Sequence, residues 1–184
     1  MRDTSAWWGG GMSSTGASGR IRTGEESDLP ELTAIYNHYV TSTPITFDLT
    51  PSTVEERRPW FDAHPPTGPH RLLVAEEAGT ILGYATSSRF RPKPAYLPSV
   101  ETSVYLSPDA VGRGVGSRLY EALFAALATE DVHRAYAGIA LPNAASERLH
   151  LRFGFTPVGT FREVGRKFGR YWDVLWLERG VGVA

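Results

Sequence analysis

The feature that most constrains this chain is a glycine-rich turn between an apolar strand and a helix. Residues 112–117 read Gly-Arg-Gly-Val-Gly-Ser, and they follow a strand-like run at 99–106 and open a helical pattern at 118–129. Glycine lets the backbone approach a ligand, while the free N–H groups and the dipole of a helix start attract negative charge. Three glycines in five residues would cost stability unless the backbone is needed there. The turn therefore predicts a phosphate-binding site.

Composition and charge exclude several classes of protein. The 184 residues predict one domain with a real core. A net charge of −1 argues against a nucleic-acid partner, and the lack of cysteine excludes disulfides, thiolate metal sites and a cysteine nucleophile. No apolar run reaches the ~18 residues of a membrane span, and no leader pattern suggests export. We expect a cytoplasmic protein with no membrane partner and no metal.

The start of the chain differs from the rest in composition. Residues 1–20 contain Gly-Gly-Gly and a Ser/Gly-rich run without periodicity, which predicts a flexible tail. Trp7 and Trp8 belong either to a disordered leader or to a segment that docks on a neighbour. We expect residues 21–184 to form a single domain.

The order of periodic segments predicts an α+β fold with a mixed sheet of six or seven strands. Asp28 with Glu31, and Thr53 with Glu56, have the spacing of capping boxes at two helix starts. Alternating or continuous apolar runs predict the strands, and apolar residues at helical spacing predict the helices. The predicted strands lie at 21–22, 71–76, 80–86, 99–106, 135–141, 158–164 and 171–178, and the helices at 29–40, 53–61, 118–129 and 144–153.

The glycine turn admits more than one ligand. A Rossmann dinucleotide site is disfavoured because the glycines are spaced G-x-G-x-G rather than G-x-G-x-x-G. The acid that would hold a ribose, ~20 residues further on, is also missing, because residues 139–142 read Ile-Ala-Leu-Pro. A pyrophosphate site of the acyl-CoA kind remains open, as does a glycine-rich turn without a ligand.

Several motifs in order give the chain a family resemblance. They are Val-Glu-Thr-Ser-Val-Tyr-Leu at 100–106, the glycine turn, Leu-Pro-Asn-Ala-Ala-Ser at 141–146, and Leu-His-Leu-Arg-Phe-Gly-Phe at 149–155. The chain resembles the GNAT superfamily of acetyl-CoA-dependent N-acetyltransferases from about Ile21 to Glu178. Three further stretches are similar to its phosphinothricin and methionine sulfoximine acetyltransferase branch, and they lie at 37–47, 91–96 and 164–173.

The resemblance implies both a fold and a reaction. Acetyl-CoA is expected in a cleft between two splayed central strands of the GNAT fold, flanked by helices. A small amino-acid-like amine such as phosphinothricin, methionine sulfoximine or methionine sulfone would attack the thioester directly, without an acyl-enzyme. The resemblance also implies a homodimer. One residue departs from the family, because Val111 stands where the loop usually begins with Gln or Arg.

The resemblance assigns the cofactor contacts to backbone groups and a few side chains. Strand N–H groups would bind the thioester oxygen and the pantetheine amides, and the glycine turn would hold the pyrophosphate. The Asn143 amide would reach the pantetheine arm, or simply belong to a turn after Pro142. The expected cofactor-binding residues are Val104, Tyr105, Leu106, Gly112, Arg113, Gly114, Val115, Gly116, Ser117, Asn143 and Arg152.

Two residues are the predicted catalytic groups. An α-amine has a pKa of about 8 and must lose a proton before it attacks, and in the resemblance Glu101 is the base that takes it. His150 stands where many relatives have a Tyr that protonates the leaving thiolate. An imidazolium can do this near neutral pH, but a packing role for His150 is equally compatible with the sequence.

The acceptor site is assigned to a basic loop and its neighbours. Arg91 and Lys93 would anchor the anionic groups of the acceptor, because a guanidinium binds a carboxylate or phosphinate in two places. Phe47 and Tyr96 would form the walls of the pocket. Together with Glu101, Thr102 and Ser103, these residues make up the predicted acceptor site.

Two other functions remain open at this stage. One is acetylation of a different amine, such as a protein N-terminus or a polyamine, which the positive charge of Arg91 and Lys93 disfavours. The other is a non-catalytic acyl-CoA-binding module, which the presence of Glu101 disfavours.

Overall fold

The structure is a computed structural model and describes residues 19–182. Almost all of the predicted tail, including Trp7 and Trp8, therefore lies outside the described residues, as do residues 183–184. The first strand begins at Arg20, one residue inside that predicted tail. The strands are β1 Arg20–Thr23, β2 Leu72–Glu77, β3 Thr80–Arg89, β4 Ser99–Leu106, β5 Arg134–Ala140, β6 Thr156–Lys167 and β7 Arg170–Gly180; the helices are α1 Leu29–Ser42, α2 Val54–Asp62, α3 Val115–Leu127 and α4 Ala144–Arg152.

The strands form one mixed sheet in the order β1-β2-β3-β4-β5-β7-β6. Every neighbouring pair is antiparallel except β4 and β5, which are parallel. The predicted α+β class and mixed sheet are confirmed. Among the described residues, no helix is long and apolar enough to cross a membrane.

The two parallel strands separate soon after they pair. Their register covers only three residue pairs and ends at Glu101 opposite Tyr136. The Thr102 hydroxyl donates a hydrogen bond to the Tyr136 carbonyl at 3.3 Å, just where the strands divide. Beyond that point β4 has no β5 partner, so polar groups on that edge are available to a ligand. We call this point the fork.

Helix α3 covers one face of the sheet. Its apolar stripe, which includes Leu119, Leu123 and Leu127, is fully buried against Val100 and Ala135 from the two central strands. The burial of Val100 and Thr102 confirms that even-numbered residues of β4 face this core.

Helices α1 and α2 lie on the opposite face. Leu32 and Ile35 of α1 pack on Val74 and Tyr84, with Tyr105 of β4 at the margin. Since side chains alternate along a strand, Glu101, Ser103 and Tyr105 all point to this face. Glu101 and the core residues of β4 therefore lie on opposite sides of the sheet.

The two predicted helix caps had different outcomes. Thr53 and Glu56 form the reciprocal capping box at the start of α2. Asp28 makes no side-chain cap on α1, so that prediction was wrong. Its carboxylate instead pairs with Arg22 at 2.7 Å, and Glu31 accepts a hydrogen bond from the Ile81 N–H at 3.1 Å. The Asp28 carboxylate also accepts a hydrogen bond from the Glu25 N–H at 2.7 Å, so Asp28 caps the short turn before α1 and not α1 itself.

The C-terminal hairpin is tighter than predicted. The predicted turn spanned 165–169, but the strands continue to Lys167 and restart at Arg170. Phe168 and Gly169 alone make the turn, with φ of 53° and 75°. Two central residues at positive φ match the right-handed twist of a hairpin. The longer strands carry Lys167 to the C-terminal end of α1.

Candidate active site

A cavity of about 460 Å³ opens beside the fork. It is formed by β4, the glycine turn, α3, α4 and the end of α1. The residues that line it are Tyr39, Ile45, Val104, Leu106, Val111, Gly112, Gly114, Val115, Gly116, Ser117, Asn143, Ala145, Ser146, Arg148, Leu149 and Arg152. Nine of the predicted cofactor-binding residues thus share one cavity: Val104, Leu106, Gly112, Gly114, Val115, Gly116, Ser117, Asn143 and Arg152.

The glycine turn ends at a helix start that carries no side-chain cap. Gly112 and Gly114 have φ of 82° and 74°, values that favour glycine. Gly114 is the N-cap of α3, and it cannot cap the helix because it has no side chain. The first N–H groups of α3 are therefore left for a ligand, which fits an anion such as a phosphate.

Two arginines of α4 supply positive charge at this cavity. Arg148 and Arg152 are exposed and line its wall. Arg113 does not line it, although it was predicted to contact the cofactor. Its guanidinium pairs with Glu77 at 2.5 Å and lies outside the cavity, because a carboxylate on the neighbouring hairpin provides a closer partner.

Asn143 both caps α4 and lines the large cavity. Its Oδ1 accepts a hydrogen bond from the Ser146 N–H at 3.1 Å and so caps α4. The same residue lines the large cavity, where its Nδ2 makes no hydrogen bond within residues 19–182. The cap therefore orients the amide and leaves its donor for a ligand.

A second, smaller cavity of about 50 Å³ lies in the fork itself. Ile45, Val104, Asn143 and Ser146 line both cavities, so the small one continues the large one between the splayed strands. Its remaining lining residues are Thr102, Ser103, Tyr105, Gly138, Ile139, Ala140 and His150. Tyr105 thus lies at the small cavity, and the predicted Thr102 and Ser103 join it there.

Glu101 is the last paired residue before the fork. It is half-buried on the face covered by α1 and α2. Burial raises the pKa of its carboxyl above the ordinary 4.5, and the positive charge of Arg91 partly offsets this. A raised pKa makes the carboxylate a stronger base near neutral pH.

His150 is 3% exposed, and both of its ring nitrogens have partners. Nδ1 lies 2.8 Å from the Ser146 carbonyl and Nε2 lies 2.9 Å from the Tyr120 hydroxyl. Burial lowers the pKa of the imidazole below 6.5, against a weaker opposite effect of the Ser146 carbonyl. Nδ1 faces a carbonyl and therefore donates to it, and burial disfavours the imidazolium, which argues against the predicted acid role.

The basic loop lies beside Glu101 but outside both cavities. The Arg91 guanidinium lies 4.5 Å from the Phe90 ring centre and 5.9 Å from that of Trp176. Lys93 is exposed, and Tyr96 is 43% exposed with its ring 6.1 Å from Phe90. Of the predicted anchors, the structure brings only Arg91 within electrostatic reach of Glu101.

Phe47 also lies outside both cavities. Its ring sits on the backbone of Gly165, where an added Cβ would overlap it. The predicted wall of the acceptor pocket is therefore fixed in place by hairpin β6–β7.

Sequence reasoning missed several residues that line the cavities, Arg148 and Ile45 among them. Arg148 lies four residues before Arg152 on α4, a spacing that puts both on one helix face and was available as a signal. Ile45 lies in a loop without periodicity, so no pattern in the sequence pointed to it. Within residues 19–182 no cluster of His, Asp and Glu has the arrangement of a metal site.

Comparisons with known proteins agree with this geometry. A protein named phosphinothricin N-acetyltransferase from Streptomyces coelicolor is 67% identical over 162 residues, which cover 87% of this chain and 95% of the relative. An L-methionine sulfoximine/L-methionine sulfone acetyltransferase from Pseudomonas paraeruginosa is 38% identical over 88% of this chain and 94% of the relative.

A solved structure matches the fold as well. The GNAT superfamily phosphinothricin acetyltransferase from Sinorhizobium meliloti, in complex with AcCoA, superposes with a TM-score of 0.85 at 32% identity, over 90% of this chain and 89% of that chain. The model of the acetyltransferase (GNAT) domain family matches residues 21–176. The chain belongs to the GNAT acetyltransferase family.

Proposed function

We propose that the protein moves an acetyl group from acetyl-CoA to the amine of a small amino-acid-like acceptor. Phosphinothricin, methionine sulfoximine and methionine sulfone are the acceptors that the names of its relatives suggest. One observation carries the proposal: an anion-binding cavity continues into a small cavity at the fork, where Glu101 ends the strand pairing.

The large cavity has the donor set that a nucleotide thioester needs. Acetyl-CoA supplies the activated acetyl group when it is bound. The first N–H groups of α3 would hold its pyrophosphate, and Arg148 and Arg152 would neutralise phosphate charge. The Asn143 Nδ2 would donate to an amide of the pantetheine arm. In this arrangement the reactive end of the cofactor would lie toward the small cavity.

Glu101 is the proposed general base. The acceptor amine arrives mostly protonated at neutral pH, since an α-amine has a pKa of about 8. The Glu101 carboxylate would accept that proton directly or through a water molecule. N–H groups of 104–106, on the edge of β4 that β5 leaves open, would donate to the thioester oxygen as it gains negative charge.

His150 has a positioning role in this proposal. Its hydrogen bonds to Ser146 and Tyr120 fix one wall of the small cavity, and burial disfavours the imidazolium. The departing thiolate would therefore take its proton from another source, such as water.

The acceptor is proposed to enter on the face that carries Glu101. The Arg91 guanidinium would bind the carboxylate or phosphinate of the acceptor, and Lys93 would add positive charge near the entrance. Phe47 and Tyr96 would contact its side chain. A polyamine, being a cation, fits this charge poorly.

We also propose a cytoplasmic homodimer that needs no metal, membrane or nucleic acid. The edge strand β6 exposes Val158, Phe161 and Val164, each more than half accessible. An exposed apolar edge strand is a common site of pairing with a second chain.

A thiol-release assay over a panel of amines tests the proposal. The panel contains amino acids, their sulfoximine and phosphinate analogues, and polyamines. We expect acetyl-CoA-dependent turnover on the amino-acid analogues and little on polyamines. Preferred turnover of polyamines would overturn the acceptor class. Tight acetyl-CoA binding with no turnover on any amine would instead support the non-catalytic alternative.

A further inference from the structure

Lys167 is an unusual residue because it is a buried cation without an acid. It is 3% exposed, and it forms no ion pair within residues 19–182. Its ammonium donates to the Thr46 carbonyl at 2.7 Å and lies 3.5 Å from the Tyr39 carbonyl. Burial lowers its pKa, and Asp48 partly offsets this. Burying a charge is costly unless the charged group is paired or hydrogen-bonded. For Lys167 the two carbonyl groups supply the hydrogen bonds.

The partners of Lys167 belong to the end of α1 and to the loop that follows it, residues 43–48, which we call the α1 loop. Tyr39 is in the last turn of α1, where a cation is favoured by the helix dipole. Thr46 is buried, and its hydroxyl bonds the Tyr36 hydroxyl at 2.8 Å. Phe47 rests on Gly165, two residues before Lys167 on β6. The hairpin therefore holds the α1 loop at two adjacent points.

A second buried cation supports the other side of the α1 loop. The Arg57 guanidinium lies 4.0 Å from the ring centres of both Tyr36 and Trp60 and is 7% exposed. It thereby fixes Tyr36, which bonds Thr46 and also donates to Asp48 at 2.7 Å. Arg57 of α2, through Tyr36, and Lys167 of β6 therefore both hold the α1 loop at Thr46.

The position of the α1 loop connects this packing to the site. Ile45 lines both cavities, and it lies at the fork where Ser103 and Tyr105 face the same side as Glu101. The acceptor must approach the thioester from that side, because Glu101 is there. The α1 loop therefore forms part of the acceptor path, whereas the pyrophosphate end of the large cavity is formed by the glycine turn and α4.

We propose that Lys167 is a positioning residue that holds the α1 loop in the geometry required for acceptor binding. The proposal rests on the acetyltransferase function proposed above. Lys167 acts through the Thr46 carbonyl and touches neither substrate. Its loss would move Ile45 and Phe47 while leaving the glycine turn and α4 in place.

Steady-state kinetics of K167M test the proposal. Methionine keeps the length of the side chain and removes its donors. The loss of a hydrogen bond from a charged group predicts an acceptor KM raised about tenfold, with the acetyl-CoA KM changed less than about threefold. R166M is the matched control, because Arg166 is exposed on the same strand and its guanidinium lies 5.8 Å from the Tyr171 ring centre, away from the α1 loop. We expect R166M to keep both KM values.

A second variant, G165A, displaces the α1 loop without changing Lys167. In G165A the new Cβ displaces the Phe47 ring, so we expect the same acceptor-selective rise in KM. If K167M does not fold, G165A still tests whether displacing the α1 loop raises the acceptor KM selectively. A purely structural role for Lys167 would lower the melting temperature and leave the acceptor KM unchanged. That result, or an equal rise in both KM values, would overturn the proposal.

Limited proteolysis measures how accessible the α1 loop is, independently of enzyme activity. Chymotrypsin cuts after aromatic and leucine residues, and Phe47 and Leu49 lie in and beside the loop. We expect faster cleavage there in K167M than in wild type or R166M. If no amine is acetylated by wild type, the proposed function fails, and unchanged cleavage in K167M would separately overturn the positioning role.

Discussion

The two sides of the fork are built from the chain in different ways. On the cofactor side, β4, the glycine turn and α3 follow closely along the chain, α4 adds a further segment, and the end of α1 with Ile45 adds a smaller distant one. On the acceptor side, Glu101, Arg91, the α1 loop and the β6–β7 hairpin come from distant parts of the sequence. The bond from Lys167 to Thr46 alone joins residues 121 positions apart.

This difference determines how each side should respond to mutation. On the proposed cofactor side, backbone N–H groups are expected to carry most of the binding, so single side-chain changes there should have small effects. The proposed acceptor side relies on charged side chains held by long-range contacts. Changes on that side should therefore be larger and should act on the acceptor more than on acetyl-CoA.

The largest effect is expected for Glu101→Gln. The amide cannot accept the proton of the amine, so kcat/KM should fall roughly 10²- to 10⁴-fold. Acetyl-CoA affinity, measured by calorimetry, should stay the same because Glu101 lines neither cavity. An unchanged rate and pH profile would remove Glu101 from the mechanism.

Arg91→Ala and Arg152→Ala form a reciprocal pair. Loss of a charge-assisted hydrogen bond predicts an acceptor KM raised about 10- to 100-fold for the first, with a small change for acetyl-CoA. The second should raise the acetyl-CoA KM by a smaller factor and leave the acceptor KM unchanged, because Arg152 lines the large cavity, where backbone N–H groups are expected to carry most of the binding. Similar changes in both KM values for either variant would contradict the division between the two sides.

Arg91→Ala also has a predicted pH signature. The positive charge of Arg91 lowers the pKa of Glu101, against the larger effect of burial that raises it. Removing that charge should move the acidic limb of the kcat/KM profile to higher pH. A limb that stays in place, or moves to lower pH, would show that Arg91 does not act on the Glu101 carboxylate.

His150→Phe separates a catalytic from a packing role. We expect kcat to fall by less than about tenfold and the free energy of unfolding to fall by about 1–3 kcal/mol, because the Ser146 carbonyl and the Tyr120 hydroxyl lose partners. A loss of kcat of two or more orders of magnitude at unchanged stability would restore the acid role.

The wild-type protein should lose stability as the pH falls below 6.5. Burial lowers the pKa values of His150 and of His64, whose ring bonds Trp60 and Ser88. Because the unfolded chain then takes up protons before the folded one, folding is weakened only below the unfolded pKa. Thermal melts between pH 7.5 and 5.5 measure the loss, which should be smaller in His150→Phe.

Local chemistry explains how much the sequence could predict. The glycine turn and its flanking elements depend on neighbouring residues, so their signals survive in a single sequence. The pairing of Arg113 with Glu77 was missed because the two residues are 36 positions apart and meet only once the sheet has formed, whereas Arg22 is six positions from Asp28 and its competing carboxylate contact was a local signal that went unused. Ile45 likewise became a lining residue through tertiary packing alone. The acceptor side is hard to predict for this reason.

Val111→Gln should have the smallest effect. It tests whether acetyl-CoA binding at the glycine turn depends on backbone N–H groups more than on side chains. Val111 is 56% exposed at the cavity wall, and its own N–H donates to the Pro108 carbonyl at 3.3 Å. A glutamine there adds one polar group beside the glycine turn, so the acetyl-CoA KM should fall about threefold, the value of one ordinary hydrogen bond. The acceptor KM should not change, because Val111 is remote from the face that carries Glu101. A fall of two orders of magnitude would mean that side chains, and not the backbone, control binding at this turn.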